Sequence, residues 1–250
     1  MSATQPPETK QPGLPEIDVH EYGGKKDGVR QSLNRRLFMQ LLVFDVADDA
    51  DVRARSVAQL LRERKIPGVL YADANDPRGV GLLTWSEDPA HFVRTVRPLF
   101  SNEHLRDVVL RRDMTMLGRT YSTGHEPELA FSLLERPINN VLDEASPWHV
   151  WYPLRRSGAF TKVEPQDQSH IMREHAAIGM AYGQKELAHD IRLACQGIDA
   201  NDNDFVIGLV GRELQPLSHL VQTMRKTRQT SEFIVHMGPF FVGYATHRVR

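Results

Sequence analysis

A histidine on the apolar stripe of a predicted helix is the first candidate for chemistry. In the segment EPQDQSHIMREHAAIGMAY, Ile171, Ile178 and Tyr182 mark one helical face. His175 falls on that face, four residues after Ile171. A neutral imidazole in apolar surroundings is a natural ligand for haem iron when its second ring nitrogen donates a hydrogen bond. The same spacing also fits a half-buried core histidine, so both interpretations stay open.

A tyrosine followed by two arginines is the second candidate. In the strand-like run WHVWYPLRR, the two-residue period places Trp148, Val150 and Tyr152 on one face, and Arg155 and Arg156 follow. A phenol beside guanidinium groups can donate a hydrogen bond or act as a redox-active group near an oxidised metal, and arginines suit bidentate binding of carboxylates. The alternative is a core tyrosine with its hydroxyl at the surface beside two solvated charges.

Other polar motifs are explained without a ligand. The segment MRKTRQTS places Arg225 and Ser231 near a helix C-terminus, where cations complement the helix dipole. His125 in HEPE has no second histidine at i+4, so it does not match a zinc-protease helix. The acidic stretch 199–204 lacks the glycine and the closing glutamate of a calcium loop, which favours a polar hairpin turn.

Composition excludes several classes of function. The 250 residues carry 31 Lys and Arg against 32 Asp and Glu, a net charge of −1, so there is no basic field for nucleic acid or for a membrane surface. The single cysteine, Cys195, excludes an internal disulfide framework and a multi-cysteine metal site. No apolar run reaches the roughly 20 residues of a membrane span, and the N-terminus lacks a hydrophobic signal region. We therefore expect a cytoplasmic protein without nucleic-acid or membrane partners.

The strands and helices that position these residues occur in the same order in the first and in the second half of the sequence. After LFMQLLVFDV, read as a strand, a helix follows, then the strands VLYADA and VGLLTWS, a helix opened by Pro89, and a long strand DVVLRRDMTMLGRTY. In the second half WHVWYPLRR, the helix with His175, the strands DIRLACQG and DFVIGLVG, a helix after Pro216 and FIVHMGPFFVGYA follow in the same order. Two β-α-β-β-α-β units predict an α+β fold of tandem ferredoxin-like units.

This repeat sets the expected domain organisation. We expect a flexible N-terminal arm at 1–30, an N-terminal half at 31–121, a linker at 122–147 and a C-terminal, ligand-binding half at 148–250. Two antiparallel sheets can bury one face against each other and leave the helices outside, as in a barrel. A space between sheet and helix is then the natural place for a flat apolar ligand.

Five segments of the second half together resemble the chlorite dismutase superfamily, and within it the coproheme decarboxylases of bacterial haem synthesis. They are WYPLRR, MREHAAIGMAYGQK, GIDANDNDFVIGLVG, LVQTMRKTRQTSEF and GPFFVG, in that order between about Trp148 and Ala245. The resemblance implies that His175 ligates the iron of haem or coproheme. It also implies that Tyr152 is the tyrosine oxidised to a radical, which takes hydrogen from a propionate, with hydrogen peroxide as the oxidant.

The same resemblance extends to the groups that hold the ligand and to the assembly. It implies that Arg225, Ser231 and Arg136 bind propionates. We expect Arg155 and Arg156 to hold propionates as well, and Arg155 to be one of the catalytic residues. The resemblance also implies a homo-oligomer, a ring of five subunits in most members, although some members are dimers.

Two departures from the family pattern leave alternatives open. Arg155 and Arg156 stand where these decarboxylases carry a lysine, and arginine is a poorer proton donor. The position 13 residues after His175, where the family has glutamine or arginine, is Ala188, so His189 or Arg192 is expected to enter the distal pocket instead. A distal His189 would serve as the acid–base group. A chlorite dismutase-like enzyme and a non-enzymatic haem or porphyrin carrier therefore remain as alternatives.

Overall fold

A computed structural model describes residues 14–250 of the chain. Its strands are β1 (Glu21–Lys26), β2 (Val29–Leu33), β3 (Phe38–Asp45), β4 (Gly68–Asp73), β5 (Gly79–Ser86), β6 (Val109–Leu110), β7 (Met116–Thr120), β8 (Trp148–Arg156), β9 (His189–Ala194), β10 (Phe205–Gly211), β11 (Ile234–Met237) and β12 (Phe241–Val249). Its α-helices are α1 (Ala50–Arg64), α2 (Arg136–Leu142), α3 (Pro165–Gln184) and α4 (Leu214–Met224). Shorter 3₁₀ and π-helical turns cover Phe92–Val96, Arg97–Ser101, Arg112–Met114, Phe131–Glu135, Gly158–Lys162 and Gln229–Phe233.

Eight antiparallel strands close into a barrel. Their order is β10-β9-β7-β3-β5-β4-β12-β8, and β8 pairs with β10 to complete the ring. The N-terminal half contributes β7-β3-β5-β4 and the C-terminal half β12-β8-β10-β9, joined by β9–β7 and β12–β4 pairing. Closure leaves the main sheet without long unpaired edges. The predicted mixed α+β architecture with an antiparallel sheet is confirmed.

The inner faces of the two halves form one core. Trp151, 1% exposed, lies at its centre, and a Cβ at the facing Gly208 would lie 2.6 Å from the Trp151 ring, so only glycine fits there. Tyr71 and His149 bring polar groups into this core, where the Tyr71 hydroxyl lies 2.9 Å from Nδ1 of His149. Burial lowers the pKa of His149 to about 3, which keeps the imidazole neutral.

Helices cover the outer faces of both half-sheets. Helix α1 begins after Asp49, whose carboxylate accepts hydrogen bonds from the backbone of Asp51 and Val52, and it ends at Lys65 in the left-handed conformation. It packs Val57 and Leu61 onto the N-terminal half-sheet. Helices α3 and α4 lie over the C-terminal half-sheet. No helix within residues 14–250 has the length and apolar content needed to cross a membrane.

Two elements of the N-terminal half differ from the sequence interpretation. The expected long strand over DVVLRRDMTMLGRTY is divided into β6, a 3₁₀ turn and β7. The helix expected after Pro89 is a pair of short turns that buries Phe92, Val96 and Leu99 but leaves Val93 59% exposed. Phe92, Val96 and Leu99 keep the helical spacing, but Pro98 has no N–H to continue an α-helix, and the segment forms a π turn followed by a 3₁₀ turn.

The N-terminal arm also differs from the expectation. Its residues 1–13 lie outside the described part of the chain, but β1 and β2 form a hairpin across 21–33. The hairpin is held by polar contacts with the loop after β7: Gly24 N donates to Glu126 O at 2.9 Å, and the Gln31 amide donates to Pro127 O at 2.9 Å. Hydrogen bonds to a distant segment have no local apolar signature, which is why the pattern predicted an unstructured arm.

The Glu126 carboxylate organises this docking loop. It is 8% exposed and accepts hydrogen bonds from the Ser122 hydroxyl and from the backbone N–H groups of Thr123 and Gly124. Burial opposes its charge, but the donors from Ser122 and Thr123 outweigh that effect and lower the pKa of Glu126 to about 2. A carboxylate with a depressed pKa stabilises the fold above its unfolded-state pKa, and this stabilisation is lost as the pH falls towards about 2.

We expect Glu126→Gln to lower the free energy of unfolding at pH 7 by about 1–3 kcal/mol, because an amide cannot accept from all these donors. The variant should also lose less stability than the wild type between pH 4.5 and pH 2, where the carboxylate gains its proton. Urea unfolding at both pH values measures this. The control Glu128→Gln, which removes an exposed ion pair with Lys26, should change the free energy by less than about 1 kcal/mol. Equal effects of the two variants would contradict the assignment.

Candidate functional site

The outer face of the C-terminal half-sheet carries the residues that the sequence singled out. In the antiparallel register, Tyr152 pairs with Ile207, and Ile207 pairs with Arg192. Side chains two positions away on each strand point to the same face of the sheet. We call this surface the floor, and the space between it and α3 the slot. The floor consists of Val150, Tyr152, Leu154, Arg156, Asp190, Arg192, Phe205, Ile207 and Leu209.

Helix α3 covers the floor incompletely. Over 20 residues it fully buries one side chain, Ile171, whereas the 15 residues of α1 bury five, including Val57 and Leu61. Apolar side chains of and beside the floor, such as Phe205 and Ile207, are accordingly only partly buried. Ile171 packs with Phe160 and Phe233 in a separate cluster. The floor residues Val150, Tyr152, Leu154 and Leu209 are buried, so the accessible part of the floor is the end with Phe205, Ile207 and the charged side chains, where a flat apolar ligand would lie.

Two cavities lie outside the slot: one of about 570 Å³ is lined by Tyr244 and Arg248, and one of about 390 Å³ lies between the end of α3 and the start of α4, beside Tyr182 and His219. Both are shallow. The candidate site is therefore assigned from the side chains of the slot and not from a cavity volume.

His175 lies on the slot side of α3, between two apolar contacts. Ile171, one turn earlier, packs in its own cluster, and Ile178, one turn later, packs against the floor. Nδ1 of His175 is buried and has no hydrogen-bond partner among residues 14–250. Burial lowers the pKa of His175, and the charges of Arg156 and Arg192 lower it further. The imidazole ring is thus neutral and has one nitrogen without a hydrogen bond. A nitrogen in this state can coordinate a metal ion. From the sequence, the second ring nitrogen of His175 is expected to donate a hydrogen bond. No described side chain accepts such a bond from it.

Tyr152 occupies the floor beneath the helices. Its side chain is 6% exposed, and its ring stacks on Phe240 with the centroids 4.5 Å apart. Burial raises the pKa of Tyr152, the charge of Asp190 raises it further, and the charge of Arg225 partly opposes this. The phenol is therefore protonated at neutral pH, so it can give up a hydrogen atom or a proton together with an electron.

The two arginines after Tyr152 have different environments. Arg156 lies on the floor, with its guanidinium 4.6 Å from the ring centre of Phe160 and 4.8 Å from that of Phe205. Its Nε is buried without a partner in the described chain, and burial lowers its pKa. Arg155 points to the other side of the strand and donates to the carbonyl oxygens of Asn201 and Asp202. Arg156 is thus available to a ligand, whereas Arg155 stabilises the β9–β10 loop.

Of the remaining residues predicted to bind carboxylates, two border the slot and one makes a local hydrogen bond instead. Arg136, at the start of α2, lies 3.6 Å from Asp190, and its Nε is buried without a partner inside the described range. Arg225 is exposed at the end of α4, and its charge reaches Tyr152. Ser231 is exposed, and its hydroxyl donates to Thr227 O at 2.9 Å. Arg136 and Arg225 border the slot. The Ser231 hydroxyl is already hydrogen-bonded within its own turn.

Strand β9 determines which polar groups face the slot from the sheet. Ala188, 3% exposed, is packed into the apolar cluster under α4. His189 alternates to the opposite side from Arg192, and its Nε2 lies 3.0 Å from the Glu186 carboxylate. Arg192 lies on the floor. Of the two residues expected to replace Ala188, the structure brings Arg192 to the slot and places His189 away from it.

Two residues of the slot were missed by the sequence interpretation. Asp190 lies on the floor beside Arg192, which the alternation in DIRLA could have indicated. Tyr121, after β7, lies with its ring centre 5.6 Å from that of Phe205; burial raises its pKa, and the charges of Arg192 and Arg156 partly oppose this. No local signal marks Tyr121, because β7 belongs to the other half of the chain and only β7–β9 pairing brings it close.

The described residues 14–250 contain no group of three or more His, Cys, Asp or Glu side chains arranged to hold a metal ion. A site built from protein ligands alone is therefore not present in that range. His175 could instead give a single axial ligand to a metal already held by an organic macrocycle, which is how haem iron is bound.

Comparisons with known proteins find a family match in the C-terminal half and a shared fold. A family model described as chlorite dismutase matches residues 130–246. Among solved structures, a candidate chlorite dismutase superposes with a TM-score of 0.67 at 15% sequence identity, covering 85% of this chain and 96% of that one. A chlorite dismutase from Candidatus Nitrospira defluvii, in complex with imidazole, gives 0.66 at 12% identity, covering 86% and 93%.

A heme-binding protein from Thermus thermophilus gives a TM-score of 0.63 at 16% identity, covering 85% of this chain and 92% of that one. No curated protein sequence matches the chain. At these identities the structural likeness establishes the fold. A chlorite dismutase family model thus matches the segment that carries α3, α4 and the floor, and the chain has the fold of chlorite dismutase-like structures.

Proposed function

We propose that the chain binds an iron porphyrin, haem or coproheme, in the slot, with His175 as the residue that would hold the iron. The observation that carries this proposal is the buried, unpaired Nδ1 of His175 on a helix that covers its sheet incompletely. A buried polar atom without a partner costs free energy unless a ligand or water satisfies it. The family match at 130–246 and the heme-binding protein with the same fold support the proposal.

The composition of the slot suits such a ligand. Phe205 and Ile207, the partly buried apolar side chains of the floor, give it an apolar surface for a flat ring. Arg136 and Arg156 each have a buried Nε without a partner in the described chain, so their guanidinium groups can bind ligand carboxylates. We propose that these two, with Arg225, hold propionates.

We further propose that the protein is a haem oxidoreductase that decarboxylates coproheme with hydrogen peroxide as the oxidant. The bound iron centre would supply the oxidising equivalents. Tyr152 would give up its phenolic hydrogen and then take one from a propionate side chain. Loss of carbon dioxide would leave a vinyl group, and the two electrons and two hydrogens would reduce one peroxide to two waters. The buried, protonated phenol of Tyr152 on the floor is what supports this role.

Several finer features belong to the same proposal. We propose that each half is a ferredoxin-like unit, since both half-sheets have the same strand order and both have an α-helix between their first and second strands. We also propose a cytoplasmic enzyme that assembles into a homo-oligomer, a pentamer by resemblance to the family. Arg155 and Ser231 keep their predicted roles only if their present backbone contacts are exchanged for ligand contacts.

A chlorite dismutase-like activity is the second candidate. The observation that favours it is Arg192 on the floor, because a guanidinium opposite the axial histidine can hold an oxyanion. In this case purified protein loaded with haem would evolve oxygen from chlorite.

Mass spectrometry of coproheme incubated with the protein and hydrogen peroxide tests the proposed function. We expect two successive losses of carbon dioxide and two hydrogens, giving haem b. Binding without a change of mass would instead indicate a porphyrin carrier. Oxygen evolution from chlorite without decarboxylation would favour the second candidate.

A further inference from the structure

Asp190 is a carboxylate that the predicted roles leave unused, and it faces the slot from the sheet. Strand β9 presents Asp190 and Arg192 to the floor and turns Ile191 and Leu193 into the barrel core. The side chain of Asp190 is 38% exposed, so a small molecule entering the slot can reach it. His175 approaches from the helix side, so Asp190 lies on the opposite side of any flat ligand between them.

Two arginines fix this carboxylate from different elements. Nε of Arg192, on the same strand, lies 3.0 Å from Oδ2 of Asp190, and Arg136 of α2 lies 3.6 Å from Oδ1. Paired contacts of this kind hold a carboxylate in one orientation. A carboxylate without such partners would be free to swing towards water and would not serve a defined step.

The position of Asp190 is central among the titratable rings of the slot. Its charge acts on His175 of α3, on Tyr152 of β8 and on Tyr121 after β7, in each case raising the pKa. Three elements that surround the slot thus all lie within electrostatic reach of this one carboxylate. The charged neighbours are Arg136 and Arg192, with Arg156 further along the floor.

The neighbouring floor offers few other acceptors. Val150, Leu154 and Ile207 are apolar, and a guanidinium such as that of Arg192 can only donate hydrogen bonds. A carboxylate beside a guanidinium can accept a proton, while the N–H groups of the guanidinium donate hydrogen bonds from fixed positions. That combination suits a small weak acid, which must lose a proton and leave a stabilised anion.

We infer that Asp190 is the proton acceptor on the sheet side of the slot for a small weak acid that binds opposite His175. This inference rests on the proposed function. For hydrogen peroxide, the O–H bond breaks, the proton moves to the Asp190 carboxylate, and the peroxide anion remains beside Arg192. No oxidant or reductant is needed for this step.

Hydrogen cyanide is a suitable probe, because it is largely undissociated at neutral pH and binds ferric haem as the anion. We expect Asp190→Asn, in protein loaded with ferric haem, to slow cyanide association by about 100-fold in stopped-flow absorbance. Imidazole, which needs no deprotonation, should bind within about twofold of wild type. Asp190→Glu, which keeps an acceptor, should recover part of the cyanide rate. The control Asp202→Asn changes a side chain that is 94% exposed on the β9–β10 loop and should behave as wild type.

The outcomes separate this inference from the proposed function. If Asp190 acted only as a repelling charge, its removal would speed the binding of an anion, the opposite of our expectation. Normal haem loading with unchanged or faster cyanide association in Asp190→Asn would overturn the inference alone. Failure of wild-type protein to bind ferric haem would overturn the proposed function and this inference with it.

Discussion

Replacing His175 by alanine is expected to weaken the binding of ferric coproheme by about 100-fold or more, which corresponds to about 2.8 kcal/mol. The variant removes the single imidazole that the slot offers from its helix side, while the apolar floor and the arginines remain. Residual binding should then be nonspecific, without the absorbance spectrum of a histidine-ligated iron. Titration of apo-protein, followed in the Soret band, measures both the affinity and the ligation.

The matched control for this variant is His170→Ala. His170 lies on the same helix but is exposed, so its removal changes α3 without changing the slot. Circular dichroism of both variants would establish that the helix is retained. A His175→Ala protein that binds coproheme with the wild-type spectrum would remove His175 from its proposed role, and with it the basis of the site.

Replacing Tyr152 by phenylalanine is expected to leave coproheme binding within about threefold of wild type but to lower vinyl formation by about 1,000-fold. The substitution deletes one oxygen and keeps the ring, so the stacking on Phe240 and the packing of the floor are preserved. It removes the hydrogen that the proposed step transfers. Single-turnover mass spectrometry after peroxide addition measures the products.

Tyr182→Phe is the control for this second prediction. Tyr182 is a half-buried tyrosine of α3 whose hydroxyl lies 2.5 Å from Nδ1 of His219, beside the shallow cavity at the end of the helix. Losing that hydroxyl should not change vinyl formation by more than about twofold. Wild-type turnover by Tyr152→Phe would exclude the phenol as the relay, although the binding site itself would be unaffected.

Much of the candidate site could be predicted from local patterns. The helical spacing around His175 and the strand alternation around Tyr152 are periodic signals that depend on few neighbours. In the structure Tyr152 lies on the floor, and His175 is close enough to floor residues Arg156, Arg192 and Asp190 for their charges to act on its pKa. The same alternation separates Arg156 from Arg155, but the sequence interpretation treated the two arginines together because it had no contact to tell them apart. Their partners, the rings of Phe160 and Phe205 for one and the 201–202 carbonyls for the other, are distant in sequence.

The sequence by itself determined the α+β class, the order of strands and helices, and the histidine and tyrosine of the slot, because hydrophobic period and turn chemistry are local. Only the tertiary structure decided barrel closure, the docking of the N-terminal hairpin, and the positions of Arg136 and Tyr121 next to floor residues Asp190 and Phe205. These depend on pairings such as β7–β9 and on hydrogen bonds between remote segments, whose partners no single stretch of sequence specifies.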